Sequence, residues 1–503
     1  MVGHPGSKAG NLAELAGLFW ALGFSGDAGG CMGLSGMDLE DEEYSTQEPI
    51  SFQIEGLFGS INYSIPLVRE GKRVLFLTAP NGYGKSTIFR LMRDLSEENW
   101  EQIREVDFKS YSIEFAQGGR LLVERNPLDS SLPTISWSGV IGLEPGSWTP
   151  KVVDSDARSF DSRNTDDFLP PWLRRVGADM YVDLKTKEVV RRRDVLERHS
   201  PEHRERRFHQ KPKGLRVLLE SFKVHYLGAE RIWGAQVGEE RALSGVSELL
   251  KADIDDTRLR YARRSRMAEG QFIRRALDSL RDGSEPVSEK QIDDLYEKLN
   301  RDVNRFMSLE IGEAKMEYLN KDAFFGFIDN VAINKIVFLF LSDMDKRFGL
   351  FRDLADRMEL FRGVVNEMMG SKEVVYQAPG EKFSFLAEGG GRHRKMVSSG
   401  SFGPLSVVDK GTGREIPLGL LSSGEKHLMV MIGNVVFEKS ARDGSIILLD
   451  EPEISLHPEW QTILSKSLRK ISEINKCHML LATHSPIIVD DDWDSEVDLR
   501  SLR

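Results

Sequence analysis

Regular alternation of apolar and polar positions begins at residue 51. Residues 51–54 and 61–65 alternate on either side of the glycine-containing segment 55–60, the pattern of two paired strands with one buried face. Residues 74–78 are instead a continuous apolar run, as in a strand covered on both faces. After 79–87 the spacing over 88–95 becomes helical, so the order is strand, glycine loop, helix. Alternation at 111–115 and 120–123 extends the amino-terminal sheet. Residues 126–166, dense in Pro, Gly, Ser and Asp, predict a loop-rich insertion, and 224–227 a short strand.

From 243 to 369 the apolar period is that of helices. Ile292, Leu295, Leu299, Val303 and Phe306 recur at three- and four-residue steps, but heptads do not persist far enough for a long coiled coil. Short strands and glycine turns return over 382–418, including 405–408. A helix opens across 421–425 and runs through Val436, and 445–449 and 479–482 are again apolar strands. The expected fold is therefore α/β, with two lobes interrupted by a mainly helical insertion. Its boundaries fall at 1–36 (extension), 37–242 (first lobe with its loop-rich insertion), 243–370 (helical insertion) and 371–503 (second lobe).

Composition adds exclusions. The 503 residues are 40% hydrophobic and 29% charged, the balance of a globular chain. No apolar run approaches the ~20 residues that cross a bilayer. The two cysteines, Cys31 and Cys477, indicate neither a disulfide framework nor a cysteine zinc site, which fits a cytoplasmic location. A net charge of -11 opposes indiscriminate coating of nucleic acid. Residues 1–36, rich in Gly and Ala, read as a disordered extension ahead of a start at Met37. Two basic stretches stand out: 191–213 with nine Lys or Arg, and 258–275 with seven Arg. Each is either a solvated face or a surface for an acidic protein or DNA.

The loop from Ala79 to Thr87 has phosphate-binding spacing between a strand and a helix. Asn81, Gly82 and Gly84 let backbone N–H groups converge on phosphates, Lys85 reaches their oxygens, and Ser86, followed by Thr87, places a hydroxyl for Mg2+ at a helix start. A second buried strand ends in Asp450 and Glu451, which suit a magnesium carboxylate and a general base for an attacking water.

With these motifs the chain resembles the ABC/SMC-type ATPases. Leu421-Ser422-Ser423-Gly424-Glu425-Lys426 is similar to their signature, 450–458 to their Walker B segment and D-loop, and Ala482-Thr483-His484-Ser485-Pro486 to their switch segment. The resemblance implies ATP as substrate, Ser422 and Gly424 facing the γ-phosphate held by a second copy, and His484 sensing that phosphate. It also implies a glutamine-loop residue, for which Gln117 and Glu230 are both candidates. The interval from phosphate loop to signature exceeds three hundred residues, far longer than in transporter subunits and without the long coiled coils of SMC proteins.

What remains resembles the overcoming-lysogenization-defect-like ATPases of bacterial anti-phage defence, with AriA of PARIS nearer than PtuA of Septu. That implies an ATP hydrolase forming homodimers or higher oligomers around ATP. It would serve as sensor or scaffold for a separate effector, a Toprim-like nuclease, with a phage protein as trigger. Only nineteen residues follow His484, too few for a fused nuclease. The alternative is a DNA-binding repair ATPase resembling RecF.

Overall fold

The computed structural model describes residues 47–125, 132–150, 173–175, 180–183, 189–191, 211–228, 239–281, 286–311, 331–377, 404–490 and 492–502. The expected extension 1–36 and nearly all of the basic stretch 191–213 lie outside them. The chain forms two compact units. One spans Tyr44–Lys251, Glu359–Val375 and Lys382–Arg503, and the other is built on Ala252–Met358.

The first unit opens with a hairpin of β1 (Pro49–Leu57) and β2 (Ile61–Pro66), followed by β3 (Val74–Thr78), α1 (Lys85–Ser96) and α2 (Trp100–Glu105). Next come β4 (Ser110–Phe115), β5 (Arg120–Glu124), β6 (Thr134–Ser138) and β7 (Gly146–Trp148). These strands, β3 apart, make an antiparallel sheet in the order β2-β1-β4-β5-β6-β7. The sheet thus continues into the segment expected to be loop-rich. Ile135 and Trp137 are buried while Thr134, Ser136 and Ser138 are more exposed, so the composition of the outer face hides a strand. A separate three-stranded sheet holds β8 (Leu173–Arg175), β9 (Met180–Asp183) and β10 (Val189–Arg191).

After α3 (Lys213–Ser221) and β11 (Val224–Leu227) come three longer helices, α4 (Glu239–Arg281), α5 (Glu289–Ser308) and α6 (Val331–Met368). Strands β12 (Lys372–Tyr376) and β13 (Leu405–Asp409) pair with each other. The chain then forms α7 (Ser423–Phe437), β14 (Ile446–Asp450), α8 (Pro458–Asn475), β15 (His478–Thr483), α9 (Pro486–Val489) and β16 (Glu496–Asp498). No described helix is long and apolar enough to cross a membrane.

The central sheet is wholly parallel, in the order β11-β14-β15-β3-β16. Every residue of β14 and β15 is buried, which explains their unbroken apolar sequence. One continuous apolar core joins α1, through Ile88, Phe89, Leu91, Met92 and Leu95, to the antiparallel sheet and to Leu75, Leu448 and Leu480 of the parallel one. This is the expected α/β architecture, with strands of one sheet drawn from both sides of the helical segment.

The helical unit has its own core. Tyr261, Phe306, Phe348 and Phe351 form an aromatic cluster. Arg357 pairs with the buried Asp253, and Arg352 with Asp302 and Asp345. Helix α5 starts on a Ser288/Gln291 capping box and buries Ile292, Tyr296, Leu299, Val303 and Phe306, so Tyr296 holds the inward place expected of Leu295.

Candidate active site

Register brings three strand ends to one edge. Thr78 of β3 lies opposite Thr483 of β15, and Asp450 of β14 opposite Ala482. The residues that follow each strand therefore leave the sheet together, at the carboxyl edge where parallel α/β sheets bind ligands.

Gly82 and Gly84 both have φ of 85°. A side chain at Gly84 would lie 2.9 Å from Leu57 Cδ2, so only glycine lets the loop turn into α1 here. No side chain caps α1, which leaves its first N–H groups as donors. Tyr63 Oη donates to Tyr83 O at 3.1 Å, tying the loop to β2. Asn81 and Gly82 are exposed at the mouth, and Ser86 and Thr87 are half-buried in the first helical turn. Half-exposed Phe58, left-handed at φ 52°, puts its ring 3.4 Å from the Cβ position of Gly84.

Lys85 Nζ donates to Ala79 O and to His484 Nε2, both at 2.7 Å, so phosphate loop and switch residue touch across 399 residues of sequence. An ammonium has no lone pair, so Nε2 is the acceptor and the imidazole proton sits on Nδ1. The 3.9 Å approach of the same Nε2 to Glu451 Oε1 is then proximity, not an ion pair. Burial lowers the pKa of Lys85, opposed by the carboxylates of Glu451, Asp450 and Glu453.

Asp450 Oδ2 accepts from Tyr226 Oη at 3.1 Å, and burial followed by the Asp450 charge raises that phenol's pKa. Asp450 Oδ1 is buried with no hydrogen-bond partner among the described residues. A buried carboxylate oxygen with free lone pairs at this edge of the sheet fits a hard cation. No cluster of three His, Cys, Asp or Glu among the described residues could hold a metal by itself, so such an ion would depend on phosphate and water as well.

Glu451 adopts φ 52°, a left-handed conformation that costs a non-glycine residue about 1 kcal/mol. Its N–H donates to Ala482 O at 2.8 Å. Glu453 Oε1 accepts from Thr483 Oγ1 at 2.8 Å and from His484 N at 2.9 Å, clamping the switch segment to the turn after β14.

Ser422 and Gly424 stand at the start of α7, and neither joins the Lys85 cluster by a hydrogen bond or ion pair among the described residues. The Ser422 hydroxyl accepts from Glu425 N, and Glu425 accepts from Ser422 N at 2.8 Å and from Lys372 Nζ at 2.8 Å. The helix thus begins at Ser423, after a short 3-10 turn at Leu418–Leu420, rather than at Leu421. A Cβ at Gly424 would lie 3.0 Å from Ser455 O, so its bare backbone permits the close approach of α7 to the 451–456 turn. His427, one turn further on, is buried, and burial pushes its pKa down to about 4.

Gln117 is excluded as the glutamine-loop residue. Its Oε1 accepts from Glu48 N, and Glu48 bonds His478 at the amino end of β15, the opposite edge from Lys85. Gln117 is thereby a hairpin residue. Glu230 lies outside the described residues, although β11 ends beside Leu449 on the correct edge. Sequence reading missed Tyr226, Glu453, His427 and Phe58. The second Glu of the Asp450–Pro458 motif was the available signal for Glu453; the others depend on long-range pairing.

Residues 252–489 match the AAA ATPase domain family, just under half of the chain, which includes Asp450, Glu451 and His484 but not Lys85. The Retron Vc95 probable ATPase of Vibrio cholerae serotype O1 biovar El Tor is 29% identical over 94 residues, 17% of this chain and 18% of that protein. The match spans less than a fifth of that relative. Similar solved structures include a Pyrococcus furiosus Smc head domain with an extended coiled coil bound to the C-terminal domain of ScpA. It has 11% identity over 88% of this chain and 91% of that one, with a TM-score of 0.33. An SmcHead bound to the C-winged helix domain of ScpA has 9% identity over 88% and 90%, also with a TM-score of 0.33.

Proposed function

We propose that this chain hydrolyses ATP at a site completed by a second copy of itself, and that this cycle lets it act as sensor or scaffold for a separate effector in anti-phage defence. The ATPase reading rests on one observation: Lys85, His484, Asp450 and Glu451 converge at the carboxyl edge of one parallel sheet.

In this reading Asn81, Gly82, Gly84 and Thr87 form the phosphate cradle and Lys85 binds the outer phosphate oxygens. Phosphate competes with Ala79 O and His484 Nε2 for the ammonium, so nucleotide binding frees the imidazole, which must then carry its proton on Nε2 to donate to the γ-phosphate. Ser86 and Asp450 would hold Mg2+, which when bound would neutralise charge on the transferred phosphoryl group. Glu451, at the left-handed turn that follows β14, accepts a proton from the attacking water. Phe58 offers its exposed ring to the base. Ser422 and Gly424 act on the nucleotide of the second copy, where the start of α7 supplies donors to its γ-phosphate.

The defence assignment is supported by the short similarity to the retron ATPase and by the motif resemblance. It makes a Toprim-like nuclease the effector and a phage protein the trigger. Phosphate release from ATP and Mg2+ by the purified chain tests the core of the reading. No release, or full release by Lys85→Ala, would overturn it. Toxicity on co-expression with the effector and trigger should require both Lys85 and Glu451.

A further inference from the structure

Six of the seven arginines of 258–275 divide sharply. Arg275 bonds Asp343 at 2.6 Å and Arg260 pairs with Asp256 at 2.5 Å, whereas among the described residues Arg263, Arg264, Arg266 and Arg274 make no ion pair. The inner face of α4 is fully engaged. Phe272 meets Phe340 edge-on, Tyr261 packs on Phe348 and Phe351, and Ser265 accepts from Arg347.

The outer face follows a different logic. Leu259, Arg263, Arg266, Ile273 and Leu277 are all exposed and are spaced by alternating steps of four and three, with exposed Gly270 filling the gap in the series. Leu259 is 46% exposed, Ile273 58%, Leu277 52% and neighbouring Met267 67%, although each is large and apolar. A four-three seam is the mark of a helix that packs against another helix. It runs about 27 Å along α4 at 1.5 Å per residue. Arg and Met beside aliphatic anchors are typical of protein interfaces, whereas exposed lysines and stacking aromatics, which would suit nucleic acid, are missing from this stripe.

We infer that the outer face of α4 from Leu259 to Leu277 docks one amphipathic helix of a different protein, bearing aliphatic residues at heptad spacing flanked by glutamates or aspartates. Phosphate could neutralise Arg263, Arg266 and Arg274 but would leave Ile273, Leu277 and Met267 in water. A second copy pairing antiparallel through the same face would set Arg263 opposite Ile273 and Arg266 opposite Gly270, so neither guanidinium would have a carboxylate directly across from it. The chain's net charge of -11 makes a cationic face of this kind a local feature, not a spill-over of general basicity.

The test uses the full chain and a labelled synthetic helix with leucines at heptad positions and glutamates beside them. A version with lysines replacing the glutamates and a labelled DNA duplex serve as competing probes. The acidic helix should bind, and the lysine version should not. Both Arg263→Glu with Arg266→Glu, and separately Ile273→Ser with Leu277→Ser, should weaken binding by roughly ten-fold or more. All four positions are exposed, so unchanged circular dichroism and thermal melting are expected. The charge-reversed chain should instead accept the lysine helix. Failure of the acidic helix to bind, or binding that both variants leave intact, overturns the inference. Duplex binding that is lost on charge reversal but kept in the serine variant, without helix binding, would make this a nucleic-acid surface and overturn it equally.

Discussion

At the scale of single residues, the site separates binding from chemistry. Glu451→Gln keeps the left-handed turn and the hydrogen bond from its N–H but removes the proton acceptor. Turnover should fall by roughly 10²–10⁴ while nucleotide affinity is retained, which single-turnover assays and equilibrium binding would separate. Lys85→Ala should instead lose binding. Tyr226→Phe is a finer probe. It removes the only donor to Asp450 Oδ2 among the described residues and should raise the Mg2+ concentration needed for half-maximal activity while leaving the fold intact, since the ring still packs against Phe89. An unchanged magnesium requirement would show that the phenol does not orient the carboxylate. These partners explain what sequence could and could not reveal. Lys85, Asp450, Glu451 and His484 announce themselves through neighbours in the chain, whereas Tyr226 sits in a strand that reads only as apolar alternation, and its role exists only through a residue 224 positions away.

At the scale of elements, α7 carries a buried imidazole, His427. The ordinary His pKa of 6.5 falls to about 4 at His427, so between those values the unfolded chain binds a proton that the folded chain refuses. Stability from this group is therefore complete above about pH 6.5 and declines as pH falls toward 4, by at most about 3 kcal/mol. His478, lowered by burial against the pull of Glu48, acts in the same direction. Melting wild type and His427→Gln at pH 7 and pH 4.5 should show the variant losing less stability on acidification. A parallel loss in both would remove His427 as a cause. The long apolar strands and helices were legible because burial on both faces, or on one stripe, dictates their composition. Strand β6 was not, since its outer Thr and Ser look like loop, and β16 is a three-residue edge strand held by Thr78 Oγ1 to Glu496 at 2.5 Å and by Arg69 to Glu496 O at 2.9 Å. Such pairing has no periodic signature.

For the whole molecule, the proposed composite site makes a prediction that no single copy can satisfy. Ser422→Arg should bind ATP yet fail to associate around it, and Lys85→Ala should fail to bind. Mixing them should restore partial hydrolysis, because one pairing unites an intact phosphate loop with an intact signature; a mixture as inactive as its parts would argue for a site complete within one chain. The expectation of one sheet drawn from both sides of the helical segment was legible because apolar strands recur after residue 440 with their carboxylates in the right order. The strand order was not legible, because register is decided by pairing between distant segments. That order carries a consequence for how the protein comes into being. Strand β3 lies between β15 and β16, so a segment made near the beginning of synthesis finds its first hydrogen-bonding neighbour only after His478–Thr483 has been translated and its second only after Glu496–Asp498. Until the first of these is made, Val74, Leu75, Phe76 and Leu77 offer two bare edges to any passing chain. Folding should accordingly be slow and dominated by distant contacts, and a ribosome stalled before β15 should carry a nascent chain that holdase chaperones bind and that cannot yet bring Lys85 to His484.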